Sequence, residues 1–271
     1  MTRKGVILFV CCIVGANAWA DDGPTHVIGP PPADRGLSPF YKKSIMLRDF
    51  PIVSSDKVSD YALKEAAFLV EKMLVDRHEV LDEMARNKVR LAIMAYSERT
   101  SDVPEHSDLE PKKYWDRRAR GLGATHARPA VSGAEENLLG YPGDPYATEN
   151  ILIHEFNHAI HQQGLRLVDP TFNKRLRKAY DDAMAKELWK GTYVATNPAE
   201  YWAEGAQAYF DCMRPQFGAN TREKLQKYDP GLFELVDEVY KQSKFRYVRY
   251  DRRKKADEPK KAEPAKKACT A

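Results

Sequence analysis

The sequence predicts a mostly helical α+β domain with a small sheet. Apolar residues recur at helical intervals in several segments, whereas 89–96 (VRLAIMAY) is a short apolar run typical of a buried strand. At Asn197-Pro198 a helix-capping residue precedes a proline in the first helical position. We expect one folded domain at residues 40–250, because a segment of this length fits a single hydrophobic core.

The first half of this domain is predicted from spacing and from glycine and proline. Residues 56–75 carry apolar side chains at helical intervals, which predicts an amphipathic helix, and the strand at 89–96 follows it. The segment 98–113 is polar and is expected to be a connection. Glycine and proline interrupt 121–128 and 136–141, so we expect short strands or ordered loops there.

The second half is predicted to be helical. Thr171 is expected to cap a helix at 170–189, because threonine is a common residue at a helix N-terminus. Asn197 is expected to cap the next helix. Two further short helices are predicted at 221–227 and 230–240.

Between the two halves lies the segment His154-Glu155-Phe156-Asn157-His158. Residues four apart lie on the same face of an α-helix, so His154 and His158 can both offer a ring nitrogen to one metal ion. Glu155 can then lie beside a water molecule bound to that metal. The segment therefore predicts a metal site on a helix.

The residues around this segment support a helix. Gly164 is expected to end it. We expect His161 either to face the same metal or to be a partly exposed residue of the last turn, where the helix dipole favours a cation. The opposite face of the helix is apolar: Leu152, Ile153, Phe156 and Ile160.

A catalytic zinc ion commonly has three protein ligands and an open position for water. A third histidine two turns further along is excluded, because His161 and Gly164 occupy the glycine and histidine positions of that pattern. Glu200 and Glu204 lie four apart and share a face of the helix that begins at Asn197. One of them can bind the metal, and the other can accept the second N–H of a ligand histidine. Without a metal, they would be an exposed pair or part of a capping box.

These motifs resemble those of a known family. The segment from His154 to His158, then Tyr193, then Glu200-x-x-Ala203-Glu204 is similar to the catalytic domain of anthrax lethal factor and to the Pro-Pro endopeptidases. Both belong to the gluzincin metallopeptidases, whose third zinc ligand is a glutamate. Asn157 stands where these relatives commonly have glycine, and His161 is unusual among them.

The resemblance implies a zincin-like metallopeptidase fold, zinc as the cofactor and a role for each matching residue. Glu155 would be the general base, and Tyr193 would stabilise the oxyanion. Glu204 would accept a hydrogen bond from a ligand histidine without touching the zinc itself. The implied zinc ligands are His154, His158 and Glu200.

The two ends of the chain differ from the domain in composition. Residues 1–20 have a basic start, an apolar stretch and a small-residue ending, which predicts a signal peptide and a secreted or periplasmic protein. Residues 21–39 are rich in glycine and proline and are expected to form an irregular arm. Residues 251–271 are rich in lysine, proline and alanine, which predicts a disordered tail. Export would permit a disulfide between Cys212 and Cys269; the alternative is two free or independently paired thiols.

The charge pattern limits the class of partner. The net charge is +4, and the predicted tail accounts for this excess, so we expect no nucleic-acid binding. The tail is expected at most to bind weakly to an anionic cell envelope. No segment after the signal peptide is apolar enough for a transmembrane helix.

We expect a monomeric secreted zinc metallohydrolase, an endopeptidase acting on a peptide or protein substrate. One alternative is a non-catalytic envelope-associated binding protein with a structural or vestigial metal site. Another is a zinc hydrolase that acts on a non-peptide amide, since the chemistry at the metal would be the same.

Overall fold

The structure, a computed structural model, describes residues 26–253. The predicted signal peptide at 1–20 and all but the first three residues of the predicted tail lie outside this range. Cys212 is buried, and Cys269 lies outside the described residues, so a disulfide between them stays a prediction. No helix within the described residues is long and apolar enough to cross a membrane.

Within the described residues, helices surround a five-stranded mixed sheet, which confirms the predicted mostly helical α+β class. The strands are β1 (Lys43–Leu47), β2 (Phe50–Ser54), β3 (Arg90–Met94), β4 (Gly121–Leu122) and β5 (Ala130–Ala134). The helices are α1 (Asp60–Met73), α2 (His78–Arg86), α3 (Lys112–Arg118), α4 (Glu135–Leu139), α5 (Ile151–Ala159), α6 (Arg166–Val168), α7 (Phe172–Ala185), α8 (Pro198–Tyr209), α9 (Arg222–Tyr228) and α10 (Pro230–Tyr240).

The strand order in the sheet is β1-β2-β3-β5-β4. Strands β1 and β2 form an antiparallel hairpin, β2, β3 and β5 are parallel, and β4 pairs antiparallel with β5 at the edge. The central strand β3 is buried from Leu91 to Met94. This explains why it could be predicted: a central parallel strand is covered on both faces and forms a continuous apolar run.

The hairpin of β1 and β2 was not predicted. Its turn consists of Arg48 and Asp49, with Leu47 paired to Phe50, and Arg48 adopts a left-handed φ of 55°. Hairpin turns of this length usually carry Asn-Gly or Asp-Gly, so the sequence gives no turn signal here. The prediction of a strand or loop at 136–141 was wrong, because this segment lies largely in α4.

Two predicted helix ends also differ. Helix α5, the motif helix that carries His154 and His158, was expected to end at Gly164. It instead continues through a π-helical turn, Ile160–Leu165, into α6. A Cβ on Gly164 would lie 2.6 Å from Cγ1 of Val80, so this glycine permits α2 to approach closely. The Thr171 side chain makes no capping hydrogen bond to α7 and instead donates its hydroxyl to Asp169.

Glycine also determines how closely α5 lies against the edge of the sheet. A Cβ on Gly133 of β5 would lie 2.7 Å from Cδ1 of Leu152, and one on Gly123 would lie 2.8 Å from Cβ of His158. Contacts this short are essentially never made by real Cβ atoms. The absence of side chains at these two positions therefore lets the motif helix lie directly beside β4 and β5.

Residues 251–253, placed in the tail by composition, form part of the folded structure. Tyr250–Arg252 is a 3-10 turn, and the Arg253 guanidinium forms two hydrogen bonds with the carboxylate of Glu65 on α1, at 2.7 and 2.6 Å. Both side chains are almost fully buried. Arg253 thus belongs to the folded domain.

Candidate metal centre

Helix α5 holds two of the predicted metal ligands. It begins after Asn150, whose Oδ1 accepts a hydrogen bond from the backbone N–H of Ile153 at 2.9 Å. Its apolar residues are buried, as the helical spacing predicted. His154 and His158 lie on the other face, and their Nε2 atoms are 3.1 Å apart.

Helix α8 brings in the third predicted ligand. Asn197 caps this helix as predicted, because its Oδ1 accepts hydrogen bonds from the backbone N–H groups of Ala199 and Glu200 at 2.8 and 3.0 Å. Pro198 occupies the first helical position. Glu200 therefore lies in the first turn of α8, where its side chain faces α5.

Asn157 joins α5 to α8 and α10. Its backbone carbonyl accepts a hydrogen bond from Trp202 Nε1 on α8 at 3.0 Å. Its side-chain oxygen accepts one from the Tyr240 hydroxyl on α10 at 2.5 Å. Asn157 is thus a buried residue that holds three helices together.

The three side chains converge on one small volume. Glu200 Oε2 lies 3.2 Å from Nε2 of His154 and 3.3 Å from Nε2 of His158. Together with the 3.1 Å between the imidazoles, these atoms form a compact triangle. They are a group of His and Glu side chains that could hold a metal ion, with ligand atoms within 4.8 Å of one another.

The spacing of this triangle fits a tetrahedral zinc ion. Ligand atoms each about 2.0 to 2.1 Å from a tetrahedral zinc are separated by roughly 3.3 Å. Glu200 Oε2 is buried and has no hydrogen-bond partner within the described residues. A buried carboxylate oxygen without such a partner is costly, and a cation at the centre of the triangle would satisfy it.

Hydrogen bonds behind His154 determine which of its ring nitrogens faces the triangle. The amide nitrogen of Gln207 donates to Glu149 Oε2 at 3.2 Å and to the Asn150 carbonyl at 3.0 Å. The amide oxygen of Gln207 therefore faces His154 Nδ1, at 3.1 Å. An amide oxygen only accepts, so Nδ1 carries the proton of this hydrogen bond, and Nε2 is the nitrogen that can bind a metal once it is deprotonated.

Glu204 lies close to this network but does not make the hydrogen bond expected of it. Its Oε1 is 3.8 Å from His154 Nδ1, and Gln207 occupies the hydrogen-bonding position. The fully buried Glu204 carboxylate instead accepts a hydrogen bond from Arg214 at 2.9 Å. Its charge still acts on His154.

The electrostatic environment of the triangle favours a cation. Burial opposes the imidazolium, but the close contact with Glu200 and the charges of Glu155 and Glu204 outweigh it and raise the pKa of His154 to about 9. Burial of Glu200 is likewise outweighed by its contacts with the two histidines, which hold the pKa of this carboxyl far below its usual range.

Glu155 is a half-buried carboxylate next to the triangle. It makes no hydrogen bond or ion pair with any other described residue. A Cβ on Gly121 of β4 would lie 3.2 Å from Glu155 Cγ, so the edge strand passes directly beside this side chain. A carboxylate in this position is free to accept a proton.

Tyr193 lies near the triangle, in a 3-10 turn before α8. Its ring centre is 6.4 Å from that of His154, and the residue is 36% exposed. Burial, followed by the charge of Glu200 and a hydrogen bond to it, raises the pKa of Tyr193 to about 12. The phenol is therefore a hydrogen-bond donor at neutral pH.

His161 does not join the triangle, nor is it partly exposed as the alternative expectation had it. It is buried in the π-helical turn, and its Nε2 lies 2.7 Å from Oδ1 of Asn173 on α7. Burial lowers its pKa. Its ring therefore helps to hold α7 against the motif helix.

The sequence reasoning missed Gln207, Glu149 and Arg214. Gln207 could have been found, because it follows Glu200 and Glu204 at helical spacing on the same face of an otherwise apolar helix. Glu149 and Arg214 come from loops before α5 and after α8, where no periodic pattern marks a role.

Comparison with known proteins gives little further guidance. No protein-family model and no curated protein sequence matches the chain. Among solved structures, the Pro-Pro endopeptidase from Paenibacillus alvei is similar, with 19% sequence identity and a TM-score of 0.49. The match covers 70% of this chain and 97% of that chain. At this level of similarity, the assignment of a function depends on the geometry of the site.

Proposed function

We propose that the protein is a zinc-dependent endopeptidase of the gluzincin type with a zincin-like fold. The observation that supports this most strongly is the triangle of His154 Nε2, His158 Nε2 and Glu200 Oε2, with sides of 3.1 to 3.3 Å. These three residues would hold the zinc ion. A structural zinc site would not need the free carboxylate of Glu155 beside it, which favours catalysis over a purely structural metal.

The chemistry follows from the groups around the triangle. When bound, zinc lowers the pKa of a coordinated water to about 7 and polarises the substrate carbonyl. Glu155 takes the proton from the attacking water and later passes it to the leaving nitrogen, so the carboxylate is regenerated. The Tyr193 hydroxyl donates a hydrogen bond to the oxyanion that develops on the carbonyl oxygen.

The edge of the sheet supports a peptide as the substrate. Strand β4 pairs with β5 on one side and lies at the end of the strand order, beside Glu155. An extended peptide can add to such an edge through backbone hydrogen bonds, which would bring a scissile amide next to the triangle.

Because the sequence predicts a signal peptide at residues 1–20, we propose that the enzyme is secreted or periplasmic.

Cleavage of a peptide library, with and without a zinc chelator, tests this function. The zinc-loaded mature protein should cleave a subset of peptides, lose this activity with the chelator and regain it when zinc is restored. The variant His158→Ala should neither bind zinc tightly nor cleave. Cleavage that persists in the chelator would contradict the proposal, and tight zinc binding without peptide cleavage would favour a non-peptide amide as substrate.

A further inference from the structure

Arg214, in the loop after α8, contacts groups on both sides of the proposed metal site. Its Nη2 donates to Glu204 Oε1 at 2.9 Å, and its Nε lies 3.4 Å from Glu149 Oε2. Its guanidinium also lies 5.7 Å from the ring centre of Tyr193 and 4.6 Å from that of Phe217. One cation thus faces two buried carboxylates and the exposed phenol at the same time.

The carboxylate of Glu149 links Arg214 to His154, one of the proposed zinc ligands. It accepts a hydrogen bond from Gln207, whose amide oxygen in turn faces His154 Nδ1. Without Arg214, Glu149 and Glu204 would be two buried like charges close to one another, and they would repel. A movement of Glu149 would release the Gln207 amide, which would no longer fix the proton on His154 Nδ1.

The contact with Tyr193 acts on the other side of the site. A guanidinium over an aromatic face attracts the ring and also limits its rotation. Tyr193 is partly exposed and lies in a short 3-10 turn, where its other neighbours in the site are Glu200 and the His154 ring. We propose that Arg214 is a positioning residue that holds both the hydrogen-bond network behind His154 and the phenol of Tyr193.

The choice of arginine fits this double contact. A guanidinium is planar, donates from several N–H groups in a fixed fork and stacks on aromatic rings, whereas a lysine ammonium is a single charged point. Arg214→Lys should therefore keep the charge between the carboxylates and lose the contact with Tyr193. This separates the two parts of the inference.

Zinc affinity tests whether Arg214 holds the hydrogen-bond network of Glu149 and Gln207 that orients His154. This measurement requires no enzyme activity. Competition with a chromophoric chelator should show zinc affinity reduced about 10- to 100-fold in Arg214→Ala, the range typical for loss of groups that orient a ligand. Arg214→Lys should recover most of this loss. Unchanged zinc affinity in Arg214→Ala would overturn this part, whether or not the protein is a peptidase.

Arg222→Ala is the matched control for general destabilisation. Arg222 is also half-buried, donates to the carbonyls of Tyr209 and Phe245 at 2.8 and 3.1 Å and lies over the Tyr209 ring. It touches none of the proposed site residues. Arg222→Ala should lower the unfolding midpoint and leave zinc affinity unchanged; an equal loss of zinc affinity in this variant would overturn the inference.

Turnover at saturating zinc tests whether Arg214 positions the Tyr193 hydroxyl. This part of the inference rests on the proposed function. Arg214→Lys should lower kcat about tenfold in the wild-type background and have little effect on kcat in Tyr193→Phe, because the hydroxyl it positions is already absent. Equal fold losses in both backgrounds would remove Tyr193 from the role of Arg214. A wild-type protein that binds zinc and cleaves no peptide would refute the proposed function and leave the zinc-affinity result standing.

Discussion

The two sides of helix α5 are built from different kinds of side chain. Towards the sheet, Leu152 and Phe156 pack against apolar residues, and the Phe156 ring meets that of Phe50 edge-on at 5.8 Å. Towards α8, buried polar groups such as His154 and Gln207 are held by hydrogen bonds. The apolar side stabilises the fold, whereas the polar side determines the position and protonation of individual atoms.

This difference explains why the polar side points to function. Burying a polar group contributes little to stability even when it is paired, and it costs about 1 to 3 kcal/mol when it is not. Glu200 Oε2 and Glu204 Oε2 have no hydrogen-bond partner among residues 26–253, and both belong to the α5–α8 interface. A fold selected for stability alone would have apolar residues there, so changes on the two sides should have separable effects.

The largest expected effect is on turnover. Glu155→Gln removes the proton acceptor and should lower kcat about 10²- to 10⁴-fold, the usual contribution of general acid–base catalysis. The unfolding midpoint and the zinc affinity should stay close to those of the wild type, because the carboxylate makes no contact that stabilises the described structure. Near-normal turnover in this variant would exclude Glu155 as the general base.

Tyr193→Phe should have the next largest effect. Loss of one oxyanion donor should lower kcat about 10²- to 10³-fold. Zinc affinity should not change, because the ring remains and the hydroxyl belongs to none of the three ligands. If steady-state kinetics show an unchanged kcat, the tyrosine acts only in packing.

Gln207→Leu should act on the metal rather than on turnover. The leucine cannot accept the proton of His154 Nδ1, so zinc affinity should fall about 10- to 100-fold. Chelator competition measures this loss, and kcat at saturating zinc should change much less. A zinc affinity equal to that of the wild type would show that the tautomer of His154 is fixed by another group.

The smallest effect is expected on the apolar side. Ile52→Val in β2 removes one fully buried methyl group and should lower the free energy of unfolding by about 0.5 to 1.5 kcal/mol. Chemical denaturation measures this change, and zinc affinity should not respond to it. A coupled loss of zinc affinity would mean that the two sides of α5 are not independent.

Local sequence patterns predicted only part of the fold and of the site. The cap at Asn197, the strand β3 and the helix α10 were readable because a capping residue, a continuous apolar run and helical spacing lie within a few residues of one another. The role of Gly164 could not be read, because it depends on the approach of Val80 from a distant helix. Nor could the sequence show that Gln207, and not Glu204, forms the hydrogen bond with His154 Nδ1.

By itself, the sequence determined the α+β class and the position of two imidazoles on one face of a helix, since the helical repeat alone places His154 and His158 together. Only the tertiary structure decided that Glu200 approaches both of them and that Gln207 takes the position behind His154. It also brought Arg214 to Glu149 and Glu204. Those contacts depend on how α5, α8 and the loops beside them pack, and residues far apart in the chain leave no local pattern of such packing.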